Sequence, residues 1–110
     1  DSAMVHRAFD DQVIMQTNSM TADGKTAINK SSLESFLKAV GTPHEEVWNE
    51  VVTNYEIRVD GSLASAWTPY EFYRGEKFSH CGVNSFQMAK LNGKWKIIFL
   101  VDTRRREGCQ

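Results

Sequence analysis

The dipeptide Asn92-Gly93, set between two runs of alternating apolar residues, limits this chain more than any other feature. Both residues tolerate positive φ, so they suit the two-residue type I′ turn that joins antiparallel strands, and the turn then dictates which residues face each other. Pairing Leu91 with Lys94 puts Met88 opposite Ile97, Phe86 opposite Phe99, Asn84 opposite Val101 and Gly82 opposite Thr103. On an unbroken ladder these pairs share one face with His80. Cys81, Val83, Ser85 and Gln87 share the other with Ile98, Leu100, Asp102 and Arg104. The first face is aromatic and aliphatic with a few polar groups, and the second mixes aliphatic with polar residues. Neither is patterned for water alone.

Turn signals recur upstream at Asp60-Gly61 and Arg74-Gly75-Glu76, so the chain from Glu46 onward reads as a four-stranded antiparallel meander. Tyr55, Ile57 and Val59 alternate with Asn54, Glu56 and Arg58 in its first strand, and Ala64, Ala66, Tyr70 and Phe72 form one side of the second. One helix precedes it. Ser31-x-x-Glu34 reads as a capping box, Leu33, Phe36, Leu37 and Val40 recur at helical spacing, and Gly41 followed by Pro43 supplies the stop. Met4–Phe9 and Gln12–Gln16 read as short strands around an Asp10-Asp11 turn, and 18–30, with Asp23-Gly24, as a loop. These elements predict an α+β fold, a helical layer against a strongly bent sheet, in one domain spanning 1–110.

Composition excludes several function classes. A net charge of −1 offers no concentrated basic surface for nucleic acid, and Arg104-Arg105-Arg106 reads as a solvated strand end. No apolar run approaches the roughly 20 residues that span a bilayer. Cys81 and Cys109 lack metal-ligand spacing and make no disulfide framework, so no metal is expected, Cys81 reads as a free packing residue, and a reducing, cytoplasmic setting follows. There is no G-x-S-x-G, no P-loop and no H-E-x-x-H. The chain starts at Asp1 without an initiator Met, and an upstream segment is expected.

The candidate site follows from a second register. With Gly75-Glu76 as a two-residue loop, Glu71 faces His80 and Trp67 faces Asn84, all on one face with Phe86 and Phe99. A carboxylate beside an imidazole holds one tautomer and raises its pKa, the arrangement a general acid/base needs; such a pair is also ordinary as a satisfied polar contact. A three-residue loop would bring Tyr70 opposite His80 instead. Asp102 is the alternative partner for His80, but the unbroken hairpin puts it on the opposite face, and only a bulge would bring them together. On that opposite face Val83, Ile98 and Leu100 need a cover, for which a second copy of the chain is the expected partner. His6, Arg7 and His44 read as surface or rim residues, and Trp48 and Trp95 as core or interface aromatics.

Three segments carry a resemblance: 64–73 (ASAWTPYEFY), 79–86 (SHCGVNSF), and 93–105, with Gly93-Lys94-Trp95-Lys96-Ile97 and Asp102-Thr103-Arg104-Arg105. They look like the nuclear-transport-factor-2-like superfamily, in particular its small bacterial branch described as SnoaL-like or lumazine-binding. The resemblance implies a cone-shaped half-barrel in which a bent sheet wraps helices around a pocket, and a homodimer through the sheet's outer face. It also implies an N-terminal helix that this sequence lacks. Enzymes of the superfamily, such as ketosteroid isomerase and scytalone dehydratase, scatter catalytic residues over several strands, and no local motif here matches them. The expectation is therefore a dimer binding a small organic ligand in an apolar pocket, with no cofactor. The alternatives are a cofactor-independent isomerase, dehydratase or cyclase using His80 and Glu71, and an association module.

Overall fold

The structure, a computed structural model, describes residues 6–41 and 47–109. Pro43, His44 and the start of the expected first strand lie outside them. The elements run β1 (Phe9–Met20), β2 (Thr26–Ser31), α1 (Leu33–Gly41), β3 (Trp48–Val52), β4 (Glu56–Asp60), β5 (Leu63–Arg74), β6 (Lys77–Leu91) and β7 (Lys94–Thr103). They form one seven-stranded sheet in the order β2-β1-β7-β6-β5-β3, with β4 also on β5. The fold is α+β. Among the described residues no helix is long and apolar enough to cross a membrane.

The N-terminal third differs from its sequence reading. His6–Ala8 are helical, and the expected pair of short strands is one strand, β1, running parallel to β7. The Asp10-Asp11 signal marks an irregularity in that strand, because the pairing jumps from Phe9↔Ile97 to Ile14↔Phe99. The expected loop over 18–30 is a hairpin instead, β1 pairing with β2 from Met20↔Thr26 to Met15↔Ser31, and Gly24 takes φ 81° in its turn. Helix α1 forms where expected, but its cap is Ser32, whose Oγ accepts the Ser35 amide at 3.0 Å; Ser31 ends β2.

The four-stranded meander forms as β4-β5-β6-β7, and Trp48–Val52 adds a further strand, β3, on β5. β5 pairs along one edge with both β3 (Val52↔Tyr70 to Trp48↔Arg74) and β4 (Glu56↔Trp67 to Asp60↔Leu63). Pro69 sits opposite the gap between these partners, where its missing N–H breaks no ladder bond, and its carbonyl still accepts the Thr53 amide at 2.9 Å.

Both hairpin turns fall where the sequence puts them, with Leu91↔Lys94 and Arg74↔Lys77 closing them. Both ladders then slip by one residue. In β7 the register passes from Met88↔Ile97 to Gln87↔Phe99, so Ile98 is the extra residue of a bulge. In β6 it passes from Tyr73↔Phe78 to Phe72↔His80, so Ser79 is the extra residue. A one-residue slip reverses the face of every residue beyond it. Phe86 pairs with Leu100 rather than Phe99, Asn84 with Asp102 rather than Val101, His80 with Phe72 rather than Glu71, and Asn84 with Thr68 rather than Trp67.

The inner face of the sheet is the one that carries the helix, through Phe36 set edge-on to Phe9 at 5.7 Å. Phe9, Met15, Ala64, Ala66, Thr68, Tyr70 and Asn84 are buried there. Leu100, expected outside at a dimer contact, belongs to this inner face. Trp67 and Phe99, expected to line a pocket, belong to the reverse face with Val83. Leu100→Asp is accordingly expected to destabilise the monomer in a urea titration rather than to dissociate a dimer.

Cys81 is not free. It is bonded to Cys109, with Cα atoms 5.9 Å apart, and is 3% exposed on the reverse face. The argument for a reducing compartment rested on free thiols and loses its basis, since disulfides persist in oxidising surroundings.

Candidate functional site

On the inner face, β3, β5, β6 and β7 each contribute polar side chains to one patch. β5 supplies Thr68, Tyr70 and Phe72 at alternate positions, β6 supplies His80 and Asn84, and register places Glu50 beside Phe72 and Asp102 beside Asn84. The bulge at Ile98 brings Asp102 to this face.

The amide of buried Asn84 donates through Nδ2 to Glu50 Oε2 at 3.3 Å, while its backbone carbonyl accepts from Thr68 Oγ1 at 3.5 Å. Glu50 is exposed along its edge strand, but its carboxyl end turns over Asn84. Desolvation there raises its pKa, the Asn84 hydrogen bond lowers it in part, and the charge of Asp102 raises it again. The side chain of Asp102 is only 15% exposed; Oδ2 meets Arg104 Nε at 3.6 Å, and Oδ1 is buried with no hydrogen-bond partner among the described residues. Such an oxygen is costly unless something donates to it.

Tyr70 crosses above Gly82 and donates from Oη to the Thr103 carbonyl at 2.7 Å; burial, with Asp102 nearby, raises its pKa and keeps it a neutral phenol. The His80 ring stacks on Phe72 at 5.0 Å and meets Tyr70 edge-on at 5.8 Å. Its Nδ1 lies 3.0 Å from Ser79 Oγ, and Nε2 makes no hydrogen bond among the described residues. Burial lowers the His80 pKa, Arg104, Arg106 and Arg74 lower it further, and Asp102 opposes them. The imidazole is therefore neutral at pH 7 and can accept a proton.

These shifts have opposite consequences for stability. A carboxyl whose folded pKa is raised adds stability below its unfolded value and loses it as pH climbs through the folded one, so Glu50→Gln is expected to gain on the parent between pH 4 and 8. An imidazole whose folded pKa is lowered adds stability above about 6.5 and loses it as pH falls through the folded value, so His80→Gln is expected to flatten the acid side of the profile. Urea midpoints across that range would show both, and parallel curves for parent and variants would contradict them.

Glu71, expected to partner His80, lies across the sheet. It is opposite Cys81 on the reverse face, accepts from Tyr73 Oη at 3.0 Å, and helps line an open depression of about 550 Å³ with Tyr73, Phe78, Arg106, Gly108 and Cys109. Of the other expected site residues, Asn84 and Phe86 stand with His80 on the inner face. Glu50, Thr68, Tyr70 and Asp102 were not in the expected set. No sequence signal marks Glu50 or Thr68, whereas Tyr70 and Asp102 required the correct strand parity.

No family model matches the sequence, and no curated protein matches it. Solved structures do. An NTF2-like protein of unknown function from Shewanella baltica OS155 matches with TM-score 0.65 and 16% identity over 97% of this chain and 80% of its own. A cystatin-like-fold protein of unknown function from Nostoc punctiforme PCC 73102 matches with TM-score 0.72 and 17% identity over 97% and 78%. A candidate ketosteroid isomerase from Shewanella frigidimarina NCIMB 400 matches with TM-score 0.65 and 13% identity over 93% and 80%. At these identities the likeness is one of fold.

Proposed function

From a chain with the nuclear-transport-factor-2-like, cystatin-like fold, we propose that the inner face binds a small organic ligand, its polar group held at the His80–Asn84–Asp102 cluster and its apolar body against Phe86 and Leu100. The observation that carries this reading is Asp102 Oδ1, a buried acceptor without a donor among the described residues. A ligand hydroxyl or N–H would satisfy it. Nε2 of His80 offers a second polar contact, and Ile57 and Val59, 59% and 63% exposed on the same face, extend the apolar surface.

A thermal-shift panel of phenols, hydroxylated aromatics and cyclic ketones tests it. Donor-bearing compounds are expected to raise Tm in the parent and to lose at least tenfold in affinity in Asp102→Ala, since a contact with a buried charge is worth about 1.5–3 kcal/mol. A panel with no hits in the parent, or hits indifferent to Asp102→Ala, would sink the reading.

A second reading, cofactor-independent acid–base catalysis, is favoured by the pairing of a neutral imidazole with Glu50, a carboxyl whose pKa burial raises. His80 would take a proton from the carbon beside a carbonyl, and Glu50, its pKa raised, would supply one to the developing enolate. Returning the first proton from His80 to another carbon, as the enol O–H gives its proton back to Glu50, restores both groups and completes an isomerisation. Conversion of a ketone abolished by His80→Ala and weakened by Glu50→Gln would support this; conversion indifferent to both would exclude it.

The reverse face supports a homodimer as the state in which the ligand is bound. Ile14, Ile28, Leu63 and Trp67 are 52%, 58%, 52% and 49% exposed there, around half-buried Phe99 and Val101. A second copy of the same face would cover them. Trp67→Glu is expected to convert a dimer of the parent to a monomer in sedimentation; a parent that is itself monomeric at micromolar concentration would rule the dimer out.

A further inference from the structure

The Cys81–Cys109 bond joins the reverse face of β6 to the segment that leaves β7, and that segment begins inside the polar cluster. After Asp102 the chain passes over Gly82, where Thr103 O takes the Tyr70 hydrogen bond at 2.7 Å and Thr103 Oγ1 takes the Val83 amide at 3.0 Å. Arg105 then exchanges both backbone hydrogen bonds with Cys81, each 2.8 Å. The following turn is closed by Arg105 itself, whose Nε and Nη2 donate to the carbonyls of Glu107 and Gly108 at 3.1 and 3.4 Å, and the disulfide ends it. Asp102 is fixed in the β7 ladder opposite Asn84 and Thr17, whereas Arg104, which meets it at 3.6 Å, sits on a strap fastened at both ends. One fastening is covalent, and Cys109 is its more accessible sulfur, since Cys81 is 3% exposed.

We propose that the Cys81–Cys109 bond is a redox latch on segment 103–109 that regulates the inner-face cluster by holding Arg104 and Arg106 beside Asp102 and His80, a role that rests on the reading of that cluster as the ligand site. Opening it takes two electrons from a thiol donor. A dithiol reductant exchanges through a mixed disulfide at Cys109, leaves Cys81 and Cys109 as thiols, and departs as its own cyclic disulfide. Closing it with a low-molecular-weight disulfide oxidises the two thiols and releases two small thiols. In the open state, among the described residues, the strap beyond Thr103 keeps the Cys81–Arg105 backbone pair, while Thr103 keeps its contacts with Tyr70, Val83 and Asn18. Without the bond, a segment with so few anchors opens readily.

The groups facing His80 make the opening readable without any ligand. Arg74 comes from β5, Asp102 from β7, and Arg104 and Arg106 from the strap, so freeing the strap removes cations from beside the ring. The test compares the oxidised chain, the chain reduced with dithiothreitol, and Cys109→Ser, by hydrogen exchange and by the NMR titration of His80. Exchange protection at the Cys81 and Arg105 amides is expected to fall at least tenfold on reduction while the β5–β6 ladder around Ala66 and Phe86 keeps its protection, and the His80 midpoint is expected to rise. Cys109→Ser should match the reduced parent, and reoxidation should restore only the parent. Unchanged protection and midpoint overturn the proposal, as does global unfolding on reduction, which would make the bond a plain structural staple. The thermal-shift panel separates the two readings: no hit in either redox state removes the ligand site, whereas equal affinities in both states, with a strap that opens, remove the regulation.

Discussion

Cys109→Ser is expected to lower the free energy of unfolding by about 3–4 kcal/mol. The disulfide spans a sequence separation of 28, and a loop of that size removes that much conformational entropy from the unfolded chain. The cost falls chiefly on the unfolded ensemble, so the substitution shifts the balance even though the ladder hydrogen bonds of β6 and β7 survive it. Serine is placed at 109 rather than 81 because Cys81 is 3% exposed, and a hydroxyl buried there would add an unsatisfied polar group to the measurement. For a domain of this size the loss corresponds to a fall in Tm of roughly 10–20 °C. Urea titrations of the oxidised parent, the reduced parent and the variant check it. The last two should agree, and a midpoint that ignores reduction would show that the bond does not form in solution.

Gly82→Ala is expected to cost about 3 kcal/mol, at the upper end of what overpacking does. A Cβ at this position would lie 2.0 Å from the Thr103 carbonyl oxygen and 2.7 Å from its carbon. Both are backbone atoms, so no side-chain rotation relieves the clash and the end of β7 must move. That movement strains the Tyr70 hydrogen bond to Thr103 and shifts Asp102, so ligand affinity should fall along with stability. Gly93→Ala is the control. Its Cβ would meet nothing within 4 Å, and its φ of 79° costs about 1–2 kcal/mol through backbone conformation alone. Equal destabilisation in the two variants would show that the close approach of β7 to Gly82 carries no energy.

The same two positions show how far the residues alone could be read. Gly93 was legible as a turn glycine because its demand is local: Asn92 at φ 52° followed by Gly93 at φ 79° makes the tight reversal, and any chain with that dipeptide between strands would do the same. Gly82 was not. Its constraint comes from Thr103, 21 residues away in sequence, and from the phenol of Tyr70, neither of which advertises itself. His80 and Asn84 were legible as neighbours because they share one strand with even spacing. Glu71 was assigned to His80 by counting back from Arg74↔Lys77, and the count failed at Ser79. Asp102 was set aside by the same count from Leu91↔Lys94, and that one failed at Ile98.

The bulge at Ile98 has a cause that no hairpin contains. β7 lies between β6 and β1, and both partners change register across Ile98: β6 between Met88 and Gln87, β1 between Phe9 and Ile14. The irregularity belongs to three strands at once. It turns Leu100 inward beside Met15 and brings Asp102 beside Asn84, which places a half-buried aliphatic residue on the inner face and a carboxylate in the cluster. The disulfide has a similar origin. Cys81 and Cys109 carry no spacing signal, and they meet because the Arg105 bridge folds the chain end back along β6.

Taken alone, the residues determined the turns of the meander, the helix, the α+β class and the likeness to a family of folds, because each of these depends on short-range conformational preference or on a period of apolar positions. Tertiary structure alone decided which carboxylate stands with His80, which aromatics face solvent and whether the thiols are joined. Those outcomes depend on strand parity, and parity is set by bulges that form only where a strand must match two neighbours together.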